Sequence, residues 1–126
     1  MRFMVMMIPD VYQKPVSPDF LPPADAVEKM SKFNDELQKA GVLLALDGLH
    51  PPETAVRVSF DVGGKPKVTD GSFAEAKEVV GGYWMLQVKS REEVVEWVRR
   101  CPAAPGDVIE IRKVFEPEDF GPAVAQ

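Results

Sequence analysis

The chain has 126 residues, 45% of them hydrophobic and 28% charged, the profile of one globular domain that buries roughly two-thirds of its unfolded surface. A formal net charge of −5, with 15 Lys and Arg scattered among 20 acids, argues against the basic stripe that nucleic-acid phosphates require. The lone Cys101 leaves no internal disulfide, the run Phe3–Ile8 is too short for a signal-peptide core, and no stretch approaches the roughly 18 apolar residues of a membrane span. These features predict a cytoplasmic protein with no nucleic-acid or membrane partner.

Arg2–Ile8 (RFMVMMI) is apolar on both faces, which predicts a central strand ended by Pro9. The connection Asp10–Pro23 carries Pro15, Pro18, Pro22 and Pro23. Its length fits a lid, an edge loop or a passive surface connection. Asp25 and Glu28 have the capping-box spacing. Val27, Met30, Phe33 or Asn34, Leu37 and Ala40 then form one helical stripe, stopped by Gly41. Val42–Leu46 predicts a second strand closed by Asp47-Gly48 and followed by the stiff Leu49-His50-Pro51-Pro52.

Ala55–Val62 alternates, with Val56, Val58, Phe60 and Val62 against Arg57, Ser59 and Asp61, the pattern of a half-buried strand. Gly63-Gly64 reads as a two-residue hairpin turn with Lys65–Thr69 as the returning partner. Gly82–Val88 is a further strand. Ser90 and Glu93 form a capping box for a second helix, whose inward stripe is Val94, Trp97, Val98 and Cys101 and which Pro102 ends. Val108–Phe115 is the last strand. The domain is thus read as residues 1–116, with 117–126 a loosely held tail.

Strand, helix, strand, inserted hairpin, strand, helix, strand is a ferredoxin-like α+β order, βαββαβ with an insertion. Two helices cover one face of the sheet, and a second subunit is the simplest cover for the other. In the last strand Val108, Glu110, Arg112 and Val114 share one face, and Ile109, Ile111 and Phe115 the other. The more apolar set meets the helices, so Glu110 and Arg112 point to the helix-free side, close enough to pair.

His50 is the one side chain that titrates near neutrality when unperturbed, and reads either as a solvated loop residue or as an acid–base group. Asp70, Glu75, Lys77 and Glu78 are the densest ionisable group, in an extended or a helical segment. A carboxylate desolvated there by Phe73, Tyr83 or Trp84 would serve as a base near pH 7; otherwise the segment is an exposed charged turn. Ser72 fails the GxSxG pattern, and Gly63-Gly64-Lys65 fails the phosphate-loop spacing. One His and one Cys make no zinc spacing. No cofactor and no metal are expected.

Asp47-Gly48-Leu49-His50-Pro51, the run from Val68 through Thr69-Asp70-Gly71-Ser72-Phe73 to Glu78, Gly81-Gly82-Tyr83 and Ile109-Glu110-Ile111-Arg112 together resemble the YCII-related proteins. More narrowly they resemble the branch named for its Asp-Gly-Pro-Phe motif, from the first strand to about Phe115. The resemblance implies a ferredoxin-like fold that dimerises through its sheets, a dimeric α+β barrel, with a cleft between subunits. It also implies kinship with small-molecule lyases, isomerases and monooxygenases. Some proteins of that branch are encoded beside, or fused to, extracytoplasmic-function sigma factors. Two departures stand out: Ser72 replaces the motif's Pro, and Ala24–Ala40 lacks the helix-one histidine of the His–Asp pair proposed for the YCII branch.

The resulting expectation is a homodimer whose small-molecule cleft is lined by His50, Asp70, Glu75, Lys77, Glu78, Tyr83, Glu110 and Arg112. Proton transfer of lyase or isomerase type would use His50, Asp70 or Glu75 as acid or base, with Arg112 holding a substrate anion. The alternative is a non-catalytic regulatory or interaction protein, a sigma-factor partner among them.

Overall fold

The computed structural model describes residues 1–71 and 78–121. Four strands, β1 (Arg2–Ile8), β2 (Leu43–Gly48), β5 (Gly82–Gln87) and β6 (Val108–Lys113), form an antiparallel sheet in the order β2-β5-β1-β6. Strands β3 (Val56–Phe60) and β4 (Pro66–Asp70) form a separate two-stranded ribbon. Helices α1 (Ala24–Lys39) and α2 (Arg91–Val98) complete an α+β fold with the ferredoxin-like order and its inserted hairpin. β1 is central, as its two-sided apolar sequence requires. Among the described residues, no helix is long and apolar enough to cross a membrane.

The core lies on one face of the sheet. Phe3, Val5 and Met7 of β1 stand opposite Leu86, Trp84 and Gly82 of β5, so one set of alternate residues is buried along both central strands. Phe33 and Leu37 of α1 and Val94 of α2 close over them, Leu37 and Val94 at 0% exposure. Trp84 meets Phe33 edge to face, centroids 6.0 Å apart, and its indole N–H donates to Asn34 Oδ1 at 2.8 Å. Partly buried Met30, Leu46, Trp97, Val98, Cys101, Ile109 and Ile111 extend this core.

Several local expectations are corrected. The helix α1 begins at Ala24 with Pro23 as its extended N-cap and no side-chain cap, so Asp25 and Glu28 form no capping box. Val27 and Ala40 are exposed, leaving Met30, Phe33 and Leu37 as the inward stripe. At α2 the Ser90 hydroxyl accepts the Glu93 N–H at 3.1 Å as expected, while the Glu93 carboxylate reaches one residue further back, to the Lys89 N–H. The β3–β4 connection is a longer loop closed by Asp61. Its carbonyl accepts the Gly64 N–H and its carboxylate the Lys65 N–H, both at 2.9 Å. β3 is exposed on both faces rather than half-buried. Phe115 leaves the core after β6 ends and lies against Phe120, centroids 5.0 Å apart.

The segment after β6 is tied to the sheet at Glu116. Arg2 grips the Glu116 carboxylate with Nε at 2.9 and 3.1 Å and a terminal nitrogen at 2.6 Å, and Pro117–Phe120 make a short 3-10 turn.

Candidate site on the helix-free sheet face

The alternate residues that miss the core build the opposite face. Asp47 of β2, Tyr83 of β5, Met6 of β1 and Glu110 of β6 lie in one row across the sheet, and Ala45, Met85, Met4 and Arg112 in the next. Met4, Met6, Tyr83 and Met85 are half-buried and Ile8 is buried, whereas Asp47, Glu110 and Arg112 at the two edges are exposed. The face is therefore an apolar floor between two polar rims.

At the β2 rim, the Tyr83 hydroxyl donates to Asp47 Oδ2 at 2.7 Å. The hydrogen bond and the negative charge of Asp47 raise the Tyr83 pKa above 10.0, with partial burial adding to both. The phenol thus stays protonated at neutral pH beside a carboxylate. Asp47 owes this position to β2 running through Gly48, two residues beyond the expected end at Leu46. Gly48 stands opposite Gly82, where an added Cβ would lie 3.1 Å from the Asp47 carbonyl oxygen, so a side chain at 82 would push the two strands apart. The neighbouring Gly81 is enclosed too, since an added Cβ there would lie 2.6 Å from Pro9 Cγ. Its N–H bonds the Met7 carbonyl and its carbonyl accepts the Leu49 N–H, which locks β1, β5 and the end of β2 together.

The Pro-rich connection contributes an anchor. Tyr12, in a 3-10 turn at Asp10–Gln13, is buried and donates its hydroxyl to the Leu49 carbonyl at 3.0 Å, fixing the loop that carries His50. Burial, with Glu53 nearby, raises the Tyr12 pKa. His50 itself is exposed, and no hydrogen bond to its ring forms among the described residues.

The expected site residues separate on this frame. Tyr83, Glu110 and Arg112 share the helix-free face. Arg112 and Glu110 approach to 4.0 Å with both side chains largely in solvent, a contact worth little. His50 lies beyond the end of β2, Asp70 ends β4 at the root of the ribbon, and Glu78 is exposed ahead of β5. Glu75 and Lys77 lie outside the described residues. Within one chain the six described ones therefore do not converge: the β2 and β6 rims stand three strand spacings apart, about 14 Å. Asp47 was missed because Asp-Gly is a turn signal. The signal that finds it is its two-residue step from Ala45, which sets it opposite in face to Leu46.

A groove of about 470 Å³ on the helix side, beside the start of α2, is lined by apolar Phe3, Val95 and Ile111 together with Ser90, Arg91, Glu92 and Lys113. No side-chain hydrogen bond among the described residues joins two of its lining residues as Tyr83 is joined to Asp47. Among the described residues no group of three or more His, Cys, Asp and Glu is placed to hold a metal ion. Cys101 is largely enclosed, and burial, reinforced by Asp107, pushes its thiol up to about 11.

A family model, the YCII-related domain, matches residues 1–118. The chain belongs to the YCII-related family. The match runs from β1 past β6 to the turn that Glu116 anchors, so the whole sheet, both helices and the ribbon fall within the YCII-related domain. A comparison with curated proteins returns no match.

Proposed function

We propose that this YCII-related protein binds a small molecule on its helix-free sheet face, in a cleft formed with a second copy, and moves a proton there. The observation that carries the reading is the Tyr83–Asp47 pair, 2.7 Å apart at the rim of an apolar floor. It offers one acceptor and one protonated donor in contact, the minimum for shifting a proton between two atoms of a substrate. Lyase or isomerase chemistry of this kind needs only side-chain acids and bases. Arg112, on the opposite rim, is the group suited to a substrate anion. Because about 14 Å separates the rims within a chain, a small substrate that touches both needs a partner subunit to bring Arg112 to Asp47. His50 is the second acid–base candidate on that side, three residues after Asp47.

The test is a metabolite screen by thermal shift, followed by turnover assays on the hits, with the wild type, Asp47→Asn, Tyr83→Phe and Arg112→Ala. The reading expects a hit whose turnover falls at least about a hundredfold in Asp47→Asn and whose binding weakens in Arg112→Ala. A hit that binds and turns over equally in all four proteins refutes it. The scatter of His50, Asp70 and Glu110 over separate elements favours a second reading, a ligand sensor without catalysis, acting through a protein partner such as a sigma factor. A hit bound through Asp47 and Arg112 but left chemically unchanged supports that reading.

A further inference from the structure

The groove between the start of α2 and the sheet orders its lining by chemistry. Arg2 stands opposite Gln87 and Phe3 opposite Lys113, so α2 starts at the end of the sheet where β1 begins and β6 stops. The helix then runs back along β6, and Val98 at its far end lines a small core void together with Ile109. Arg91 and Val95, four apart, share a face of the helix. Lys113 and Ile111, two apart, share the helix-side face of β6. Four residues of helix rise about 6 Å and two of strand about 7 Å. The cations Arg91 and Lys113 therefore stand level at one end, and the aliphatic Val95 and Ile111 level further in. All four line the groove, with Phe3 beside them.

Burial follows the same order. Phe3 is buried and Val95 and Ile111 are half-buried, whereas Arg91 and Lys113 are exposed. With eight residues α2 is about 12 Å long, against about 20 Å for the six of β6, so it does not roof the strand. Among the described residues neither cation forms an ion pair, although the neighbouring Arg2 is bound to Glu116. Two such cations over one apolar strip, in a chain of net charge −5, are a local reversal of charge.

We infer that this groove binds an aliphatic monocarboxylate of medium-chain fatty-acid type, its carboxylate between Arg91 and Lys113 and its chain along Val95, Ile111 and Phe3. The volume of about 470 Å³ falls within the roughly 300–1,000 Å³ of small-molecule sites. Charge selects the head group. The side chains lining the groove carry two cations, Arg91 and Lys113, against one acid, Glu92, a net of +1. One carboxylate neutralises that charge, and a phosphate dianion overshoots it. The apolar strip selects the tail, since each buried methylene strengthens binding about fourfold. The groove lies on the opposite side of the sheet from Asp47 and Tyr83, so this site is independent of the proton-transfer reading above.

The experiment titrates the isotope-labelled full chain with sodium octanoate and follows its amide shifts. Saturable shifts are expected at Phe3, over Arg91–Val95 and over Ile111–Lys113. Acetate should bind at least about tenfold more weakly, octylammonium should give no saturable shift there, and octyl phosphate should bind no more tightly than octanoate. Because both cations are exposed, the double variant Arg91→Gln with Lys113→Gln should keep the wild-type Tm and bind octanoate at least about tenfold more weakly. Asp47→Asn should bind octanoate as the wild type does. Unchanged affinity in the double variant, weakened affinity in Asp47→Asn, or shifts confined to the helix-free face overturns the groove as the site. Equal shifts with octylammonium, or tighter binding of octyl phosphate, overturns the carboxylate. The absence of saturable shifts up to about 10 mM octanoate overturns the inference outright.

Discussion

Replacing Asn34 with Ala cuts the side-chain hydrogen bond by which α1 grips the central strand β5. Trp84 is 6% exposed, and its indole N–H has Asn34 Oδ1 as its partner at 2.8 Å. Without that acceptor a buried donor is left unpaired, at a cost of about 1–3 kcal/mol. Asn34 is only half-buried, so the side-chain volume lost adds little void, and the polar penalty decides the size of the effect. With an unfolding entropy of about 2.1 cal/mol/K per residue, a chain of this length loses about 4 °C of Tm per kcal/mol, so the variant should melt about 4–11 °C lower. Urea denaturation followed by circular dichroism supplies the free energy. A double-mutant cycle with Trp84→Phe, which removes the donor, isolates the bond. In that background Asn34→Ala should cost at least about 1 kcal/mol less. An equal cost in both backgrounds refutes the claim that this bond explains the loss, since the change in helix propensity from Asn to Ala acts in the stabilising direction.

Asp47→Asn removes the charge that holds the Tyr83 phenol protonated, so Tyr83 should titrate closer to 10.0 while Tyr12, raised by its burial and Glu53, does not move. Absorbance at alkaline pH, with Tyr12→Phe to isolate one ring, reads the change, and an unmoved Tyr83 contradicts the assignment. Arg2 holds the Glu116 carboxyl below its ordinary value of 4.5. The stability from this pair is thus fully present above that value and is lost as pH falls through the lower folded value. Glu116→Gln should flatten the acid limb of a Tm–pH profile, and an acid limb identical to wild type counts against the pair. The Cys101 thiol, raised by burial from 9.0 to about 11, should react with a thiol reagent at pH 8 about a hundredfold more slowly in the folded chain than in urea. By the same linkage its contribution to stability is present below pH 9 and is lost as pH rises through the folded value.

Where a feature was decided by local periodicity, it was legible. RFMVMMI is apolar on both faces, and β1 is central; the two-residue step in Val108–Val114 places Glu110 and Arg112 on the helix-free face, where the register puts them. Features decided by distant partners were not. Asp47-Gly48 has the local chemistry of a turn, but Tyr83 and Gly82 on another strand extend β2 through both residues. Asp25 and Glu28 have the spacing of a cap, yet the extended backbone of Pro23 starts the helix one residue before Asp25 and takes that role. The alternation in β3 correctly marks one face for burial. It is silent on what covers that face, which is why the strand read as half-buried although none of the described residues covers it. Phe115 keeps step with Ile109 and Ile111, but β6 stops at Lys113 and the ring leaves with the chain to meet Phe120.

Whether the helix-free face is the covered wall of a two-subunit cleft can be read from methionine methyl groups. Met4, Met6 and Met85 line that face, Met7 is in the core and Met1 is exposed at the N-terminus. The measurement is solvent paramagnetic relaxation of methyl-labelled methionines at concentrations of tens of micromolar. Met4, Met6 and Met85 should be shielded nearly as well as Met7, and should lose that shielding together on dilution. Relaxation of these three close to that of Met1 at every concentration would contradict it.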